Sequence, residues 1–212
     1  MAALLLSMKQ PGKQLVSTAF YAGALTLVTI ICLFSERLSH GPVWQAMHLW
    51  WFSFLLLGAL QFELKEGRIP FFVPILLAAT GLLTGWVHQL FGVTTAELAA
   101  YIPLWERATS GFLTLATLYF VNVVAFFLLG RDQLRHDEIY FAAALATWGN
   151  FSYILTVIPL ATAMGLGTLL LRQSAKTPAQ EAFFEKTTRF AVWCSVAAWI
   201  AYWGVLEEVI RL

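Results

Sequence analysis

Uncharged apolar runs of about 20 residues recur along this sequence, and they constrain its fold more than any other feature. A helix of that length, rising about 1.5 Å per residue, crosses the roughly 30 Å of hydrocarbon in a bilayer. The runs are continuous, whereas the strands of a membrane barrel alternate apolar and polar residues. Charged residues make up only 12% of the 212 residues, against about 25% in soluble domains. The sequence therefore predicts an all-α, polytopic transmembrane helical bundle.

Six spans are predicted within a single integral membrane domain, together with a short interfacial helix near 94–102. The fifth run, 139–171, is too long for one straight crossing and too short for two, because two spans need about 40 residues. It is predicted as one span that kinks at Pro159, with Gly149 and Asn150 as a second place to bend. The predicted spans are 15–34, 44–62, 70–91, 111–129, 139–171 and 190–206.

The distribution of Lys and Arg predicts a multi-pass protein of the cell inner membrane with a cytoplasmic amino terminus. With six spans, both termini lie on that side. Around the first four spans, basic residues are concentrated inside (Lys9, Lys13, Lys65, Arg68, Arg131, Arg135) and sparse outside (Arg37, Arg107). The last long loop disagrees, because six spans place four basic residues outside there: Arg172, Lys176, Lys186 and Arg189.

Two histidines stand at matching positions on the second and third predicted spans. A short charged link makes these spans an antiparallel hairpin, in which His48 lies roughly 28 Å and His88 roughly 32 Å from Gly67. Nearly level imidazoles on facing helices can ligate a haem iron or a pigment, and Gly81 and Gly85 precede His88 on roughly its face. The alternative is a pair of interfacial histidines that bond to lipid headgroups. No third ligand is defined, so no metal site is predicted.

Ionisable side chains are absent from the interiors of the predicted spans, which disfavours a proton-coupled transporter. Most polar residues there are Ser or Thr, which can bond to carbonyl groups of their own helix. Asn122 and Asn150 cannot do so. Each is therefore predicted to bond to a neighbouring helix, either as a packing contact or as part of a polar path.

One short hairpin resembles part of a known family. Arg68-Ile69-Pro70-Phe71, followed by Gly81-Leu82-Leu83-Thr84-Gly85-Trp86-Val87-His88, resembles a hairpin in the membrane subunit of copper-dependent methane and ammonia monooxygenases. The resemblance covers this hairpin alone, and the long extramembrane segment before that family's last span is missing from this chain. It implies no site residues here.

The predicted function is that of a non-catalytic integral membrane subunit. No His-Glu-x-x-His, phosphate-binding glycine loop or paired intramembrane aspartate is present, and a net charge of +1 lacks the basic surface that nucleic acid requires. The prediction is an accessory or anchoring component of a larger bioenergetic, electron-transport complex. Its expected partners are other integral membrane subunits and lipids, with quinone or pigment as candidate contacts. The alternatives are a small membrane transporter or channel, and a b-type haem or metal-binding subunit that uses His48 and His88.

Overall fold

The computed structural model describes residues 43–91, 102–130, 132–173 and 189–211, in which all regular structure is helical. The side chains of 43–48, 85, 87–91 and 203–211 lie outside the described part. The described helices are α1 (Val43–Glu66), α2 (Phe72–Phe91), α3 (Leu104–Leu129), α4 (His136–Ala146), α5 (Phe151–Gln173) and α6 (Phe190–Arg211). The all-helical class is confirmed.

Two of the described helices, α3 and α5, are long and apolar enough to cross a membrane. Only 17% and 22% of their most apolar windows is buried inside the protein, which is unlike the core helix of a soluble domain. The number of spans stays a prediction. The predicted first span, 15–34, lies outside the described residues, and so does the interfacial helix at 94–102 except for its last residue.

The chain forms two compact units that divide within α1, Met1–Leu57 and Gly58–Leu212. In the first unit, Trp50 and Trp51 stack on Phe54 with ring centroids 5.9 and 5.6 Å away. The Ser53 hydroxyl donates to the Leu49 carbonyl at 2.7 Å. All contacts described below belong to the second unit.

The run predicted as one kinked span over 139–171 is two helices, and this prediction needs correction. α4 ends at Ala146 and α5 begins at Phe151, while Pro159 lies inside α5 without dividing it. The side-chain oxygen of Asn150 accepts the Tyr153 N–H at 2.9 Å, which is the usual way to start a helix. The Asn150 side chain therefore helps to separate the two helices.

α4 is the most enclosed helix of this unit. Five of its side chains are at most 1% exposed: Ile139, Phe141, Ala142, Leu145 and Ala146. It packs against α2, α3, α5 and α6, and its alanines allow neighbouring backbones to approach closely. The other helices of the unit are therefore arranged around α4.

Two antiparallel pairs define how α4 and α5 run. Along α3, the hydroxyl groups of Tyr119 and Tyr140 are 2.9 Å apart, while Gly111 lies beside Thr147. Residue numbers thus rise along α4 as they fall along α3. On α5 and α6, the Tyr153 hydroxyl donates to the Ala198 carbonyl at 2.8 Å. These contacts bring the break between α4 and α5 close to the start of α3.

Candidate functional site

The two histidines occupy helical positions, His48 in α1 and His88 in α2. Their side chains lie outside the described residues, so the predicted haem or pigment ligation stays a prediction.

Gly81, which the sequence offers as space for a cofactor, is packed against the protein itself. A Cβ at this position would lie 2.9 Å from Trp148 Cδ1 and 3.0 Å from the Thr147 carbonyl oxygen. Both distances are shorter than ordinary van der Waals contact. Gly81 therefore lets the turn after α4 approach α2.

Asn122 and Asn150 bond to loops and helix ends rather than to neighbouring helices. The Asn122 side-chain oxygen accepts the N–H groups of Gln133 and Leu134 at 3.0 and 2.9 Å. Its amide nitrogen donates to Asp132 at 3.2 Å. Asn122 thus holds the loop between α3 and α4, and Asn150 caps α5.

Charged side chains at three helix ends form what we call the charged cluster: Glu63, Arg135, Asp137, Glu138 and Arg189. Arg135 Nη2 donates to both Glu63 carboxylate oxygens at 2.8 and 2.9 Å. Arg189 Nη1 donates to the Glu63 carbonyl at 2.8 Å and to its carboxylate at 3.3 Å. The Glu63 side chain is 0% exposed, and a buried carboxylate requires such pairing. The cluster thereby joins the end of α1 to the starts of α4 and α6.

The first turn of α4 supplies the other two acids of the charged cluster. Asp137 accepts the Ile69 N–H at 2.9 Å and lies 3.5 Å from the Arg135 guanidinium. Glu138 accepts the Arg135 N–H at 3.0 Å. Two carboxylates at the amino end of a helix also suit its dipole. The link between α1 and α2 is thus tied to α4.

Gly67 is required where this link turns. Its φ is +74°, a conformation that residues with a Cβ rarely adopt. A Cβ would also lie 3.0 Å from Arg189 Nη2. In addition, Arg135 Nη1 donates to the Gly67 carbonyl.

The charged cluster holds three carboxylates against two guanidinium groups. Burial raises the pKa of the Glu138 carboxyl above its ordinary 4.5, outweighing the Arg135 N–H and the Arg135 charge. Burial lowers the pKa of Arg135, but the three acids outweigh that effect and the net shift is upward. Chemically, the cluster can take up a proton on Glu138 when the pH falls.

A second polar centre surrounds Arg107 in the first turns of α3. Its Nη1 lies 3.2 and 3.1 Å from the carbonyl oxygens of Thr147 and Trp148. The Gly81 carbonyl and the Thr84 hydroxyl are each 3.3 Å away. Carbonyl groups at the end of a helix have no partner within that helix, and a positive charge is favourable there. Arg107 therefore hydrogen-bonds to the carbonyl groups that are exposed where α4 ends.

Aromatic side chains anchor the same turn. Trp148 is 1% exposed, and its indole N–H donates to the Leu77 carbonyl at 2.8 Å. Its ring meets Tyr202 edge-on, with centroids 6.1 Å apart. The turn between α4 and α5 is thus attached to α2 and α6.

Three buried polar atoms in the described part of the chain have no hydrogen-bond partner: Ser110 Oγ, Thr114 Oγ1 and Trp193 Nε1. Ser110 and Thr114 are 1% and 2% exposed and lie one turn apart on the packed face of α3. A buried unpaired polar group costs about 1–3 kcal/mol.

The sequence patterns do not identify the roles of Glu63 and Arg107 in the two polar centres. Glu63 lies just beyond the predicted span 44–62, and Arg107 lies before the predicted span 111–129, whereas α3 begins at Leu104. The one available signal was Pro103, since proline is frequent where helices begin. Their bonding partners lie up to 126 residues away, and no local pattern identifies such pairs.

Within the described residues, no group of three or more His, Cys, Asp or Glu side chains is placed to hold a metal ion. Comparison with protein families, with characterised proteins and with solved structures finds no match to this chain.

Proposed function

We propose that this chain is a multi-pass protein of the cell inner membrane and serves as a non-catalytic accessory or anchoring subunit of a larger bioenergetic complex. Its partners are apolar helices of other membrane subunits, together with lipid. Support comes from apolar surface that is exposed on the described helices and from the contacts that the described charged side chains make.

The observation that carries this proposal is the carboxyl-terminal end of α3. The polar loop 132–134 packs at the level of Asn122, and the helix continues for about 10 Å beyond that level. Phe127, Leu128 and Leu129 are 80%, 77% and 63% exposed there. A contiguous apolar surface beside a charged loop is typical of an interaction site. We assign it to contact with a helix of a partner subunit.

The charged groups support a structural role. The charged cluster bonds the ends of α1, α4 and α6 to one another, and Arg107 bonds to carbonyl groups at the turn after α4. These side chains hold helices of the same chain together. Such structural contacts are consistent with a non-catalytic subunit.

Purification from native membranes in a mild detergent, with cross-linking and native mass spectrometry, tests the proposal. We expect at least one other integral membrane protein in fixed stoichiometry. A monodisperse monomer that conducts solutes in liposomes would replace the proposal with the transporter alternative. An absorption spectrum of the same preparation tests the haem alternative, because a Soret band lost in His88→Ala would establish it.

A further inference from the structure

We infer that α4 and α5 form a re-entrant hairpin, which enters the membrane and returns to the side from which it entered. α6 then starts on the side where α4 starts, and the carboxyl end of α6 lies on the opposite side. This inference rests on the proposed membrane location and changes the topology predicted from the sequence.

The first step is that the two ends of this segment meet. Arg135 directly precedes α4 and Arg189 directly precedes α6, yet both donate to Glu63 Oε1, at 2.8 and 3.3 Å. A segment that crossed the bilayer once would hold its ends about 30 Å apart. The chain between Arg135 and Arg189 therefore begins and ends at one membrane surface.

The second step is the direction of α5. Tyr153, near its start, bonds to Ala198, whereas Gly165 lies beside Trp193, with 3.5 Å from a Cβ at that glycine to Trp193 Cδ1. Residue numbers rise along α5 as they fall along α6. α5 therefore runs from the turn back towards Arg189, and its 23 residues, about 34 Å in length, carry its last turns beyond the level of the charged cluster.

The third step is the depth of the turn. α4 has 11 residues and is therefore about 16 Å long, roughly half of the hydrocarbon thickness. Its turn packs on Gly81, which is midway along α2. Non-helical backbone is tolerated at such depth only when protein surrounds it. Arg107 bonds to the carbonyl groups of this turn, and the buried Trp148 side chain bonds to α2.

The distribution of charge also supports this topology, and three of the four basic residues concerned are not used in the contacts above. The re-entrant hairpin moves the residues between α5 and α6 to the side of Lys65 and Arg68. The four basic residues that disagreed with six spans then lie inside: Arg172, Lys176, Lys186 and Arg189. Ten of the 13 basic residues then lie inside, and Arg37, Arg107 and Arg211 lie outside, as the positive-inside rule favours.

Cysteine labelling of the full-length chain in native membranes tests the inference. Glu66→Cys and Gln173→Cys place thiols at exposed positions at the ends of α1 and α5, in a background with Cys32→Ala and Cys194→Ala. A membrane-impermeant maleimide is applied to intact cells and to inverted vesicles. We expect the maleimide to label both variants in inverted vesicles and neither variant in intact cells. An epitope tag after Leu212 should show the opposite accessibility.

Labelling of Gln173→Cys and Glu66→Cys from opposite sides would overturn the hairpin in favour of a single span. A tag on the same side as Glu66→Cys would equally overturn it. Trypsin gives a second reading on the unsubstituted chain, since cleavage between α5 and α6 is expected in inverted vesicles only. Release of the protein by alkaline carbonate would instead defeat the proposed membrane location, so the two failures are distinguishable.

Discussion

At the scale of single residues, the carboxylate of Glu63 is held without contact with water. Its side chain is 0% exposed, whereas its partners Arg135 and Arg189 are 41% and 31% exposed. The guanidinium groups keep part of their hydration, so this arrangement costs less than a fully buried ion pair. The stabilisation it provides depends on the negative charge of one residue.

Removal of that charge is expected to weaken the fold. Glu63→Gln should lower the free energy of unfolding by about 1.5–3 kcal/mol, the usual worth of hydrogen bonds to a charged group. Denaturant titration in detergent measures this. Glu66→Gln is the matched control, because Glu66 is exposed and a surface change should stay within about 0.5 kcal/mol. Equal stability of the two variants would show that the cluster is not a stabilising contact.

Glu138 is expected to make stability depend on pH. Its pKa is higher in the folded protein than its ordinary 4.5. Its contribution is therefore fully present below 4.5 and is lost as the pH rises through the folded pKa. Lowering the pH from neutral towards 4.5 should stabilise the wild type relative to Glu138→Gln.

The measurement is the difference between these two unfolding free energies across that pH range, with Glu63, Arg135 and Asp137 unchanged in both proteins. A difference that does not vary with pH would show that Glu138 does not take up a proton there.

At the scale of elements, the hairpin of α4 and α5 depends on how closely its turn approaches α2 and α3. A Cβ at Gly111 would lie 2.8 Å from the Thr147 methyl group, on the side of the turn opposite to Gly81. Gly81 on α2 and Gly111 on α3 therefore leave room for the Thr147 side chain. Arg107 then bonds the carbonyl groups that the turn exposes.

Alanine substitutions at two helical glycines should have opposite effects. Gly81→Ala should destabilise by about 1–3 kcal/mol, because overpacking forces the backbone of the turn to shift. Gly167→Ala in α5 should stabilise by about 0.5–1 kcal/mol through helix propensity, because a Cβ there meets nothing within 4 Å. Thermal unfolding in detergent compares them. Destabilisation of similar size in both variants would contradict the packing role of Gly81.

At the scale of the whole molecule, the exposed apolar side chains of the described helices bear on the proposed association with a partner subunit. α3 exposes Phe112, Phe120 and Phe127 by about 70–80%, and its last turns pass beyond the polar loop 132–134. The described part of α5 also exposes leucines, but its carboxyl end is followed by basic residues. We therefore expect partner contact at the end of α3 rather than along α5.

Polar substitution at the end of α3 should release the partner subunit. Phe127→Ser with Leu128→Ser should remove about 2 kcal/mol or more of association free energy, as central apolar interface residues do. Native mass spectrometry of the detergent-solubilised complex measures the loss. Leu166→Ser with Leu170→Ser on α5 is the control, since both side chains are exposed by more than half. Loss of the partner from both double variants, or from neither, would argue against this assignment.

The sequence by itself determined the helical class, and the apolar runs over 44–62, 70–91 and 190–206 coincide approximately with α1, α2 and α6. These features follow from the length and continuity of apolar runs and from local breakers, all of which act over a few residues. Asn150 stands out in the sequence as a polar residue within an apolar run, but its role as a helix cap depends on a helix break that the structure shows.

Only the tertiary structure decided that the run 139–171 is divided into two helices and that Thr147 packs against Gly81. It also decided that Glu63 pairs with Arg135 and Arg189. The physical reason is that burial and charge pairing join residues far apart in the chain. The apolar runs that indicate helices do not indicate which distant residues pair with one another. The same contacts, rather than hydropathy, indicate the direction in which α5 runs.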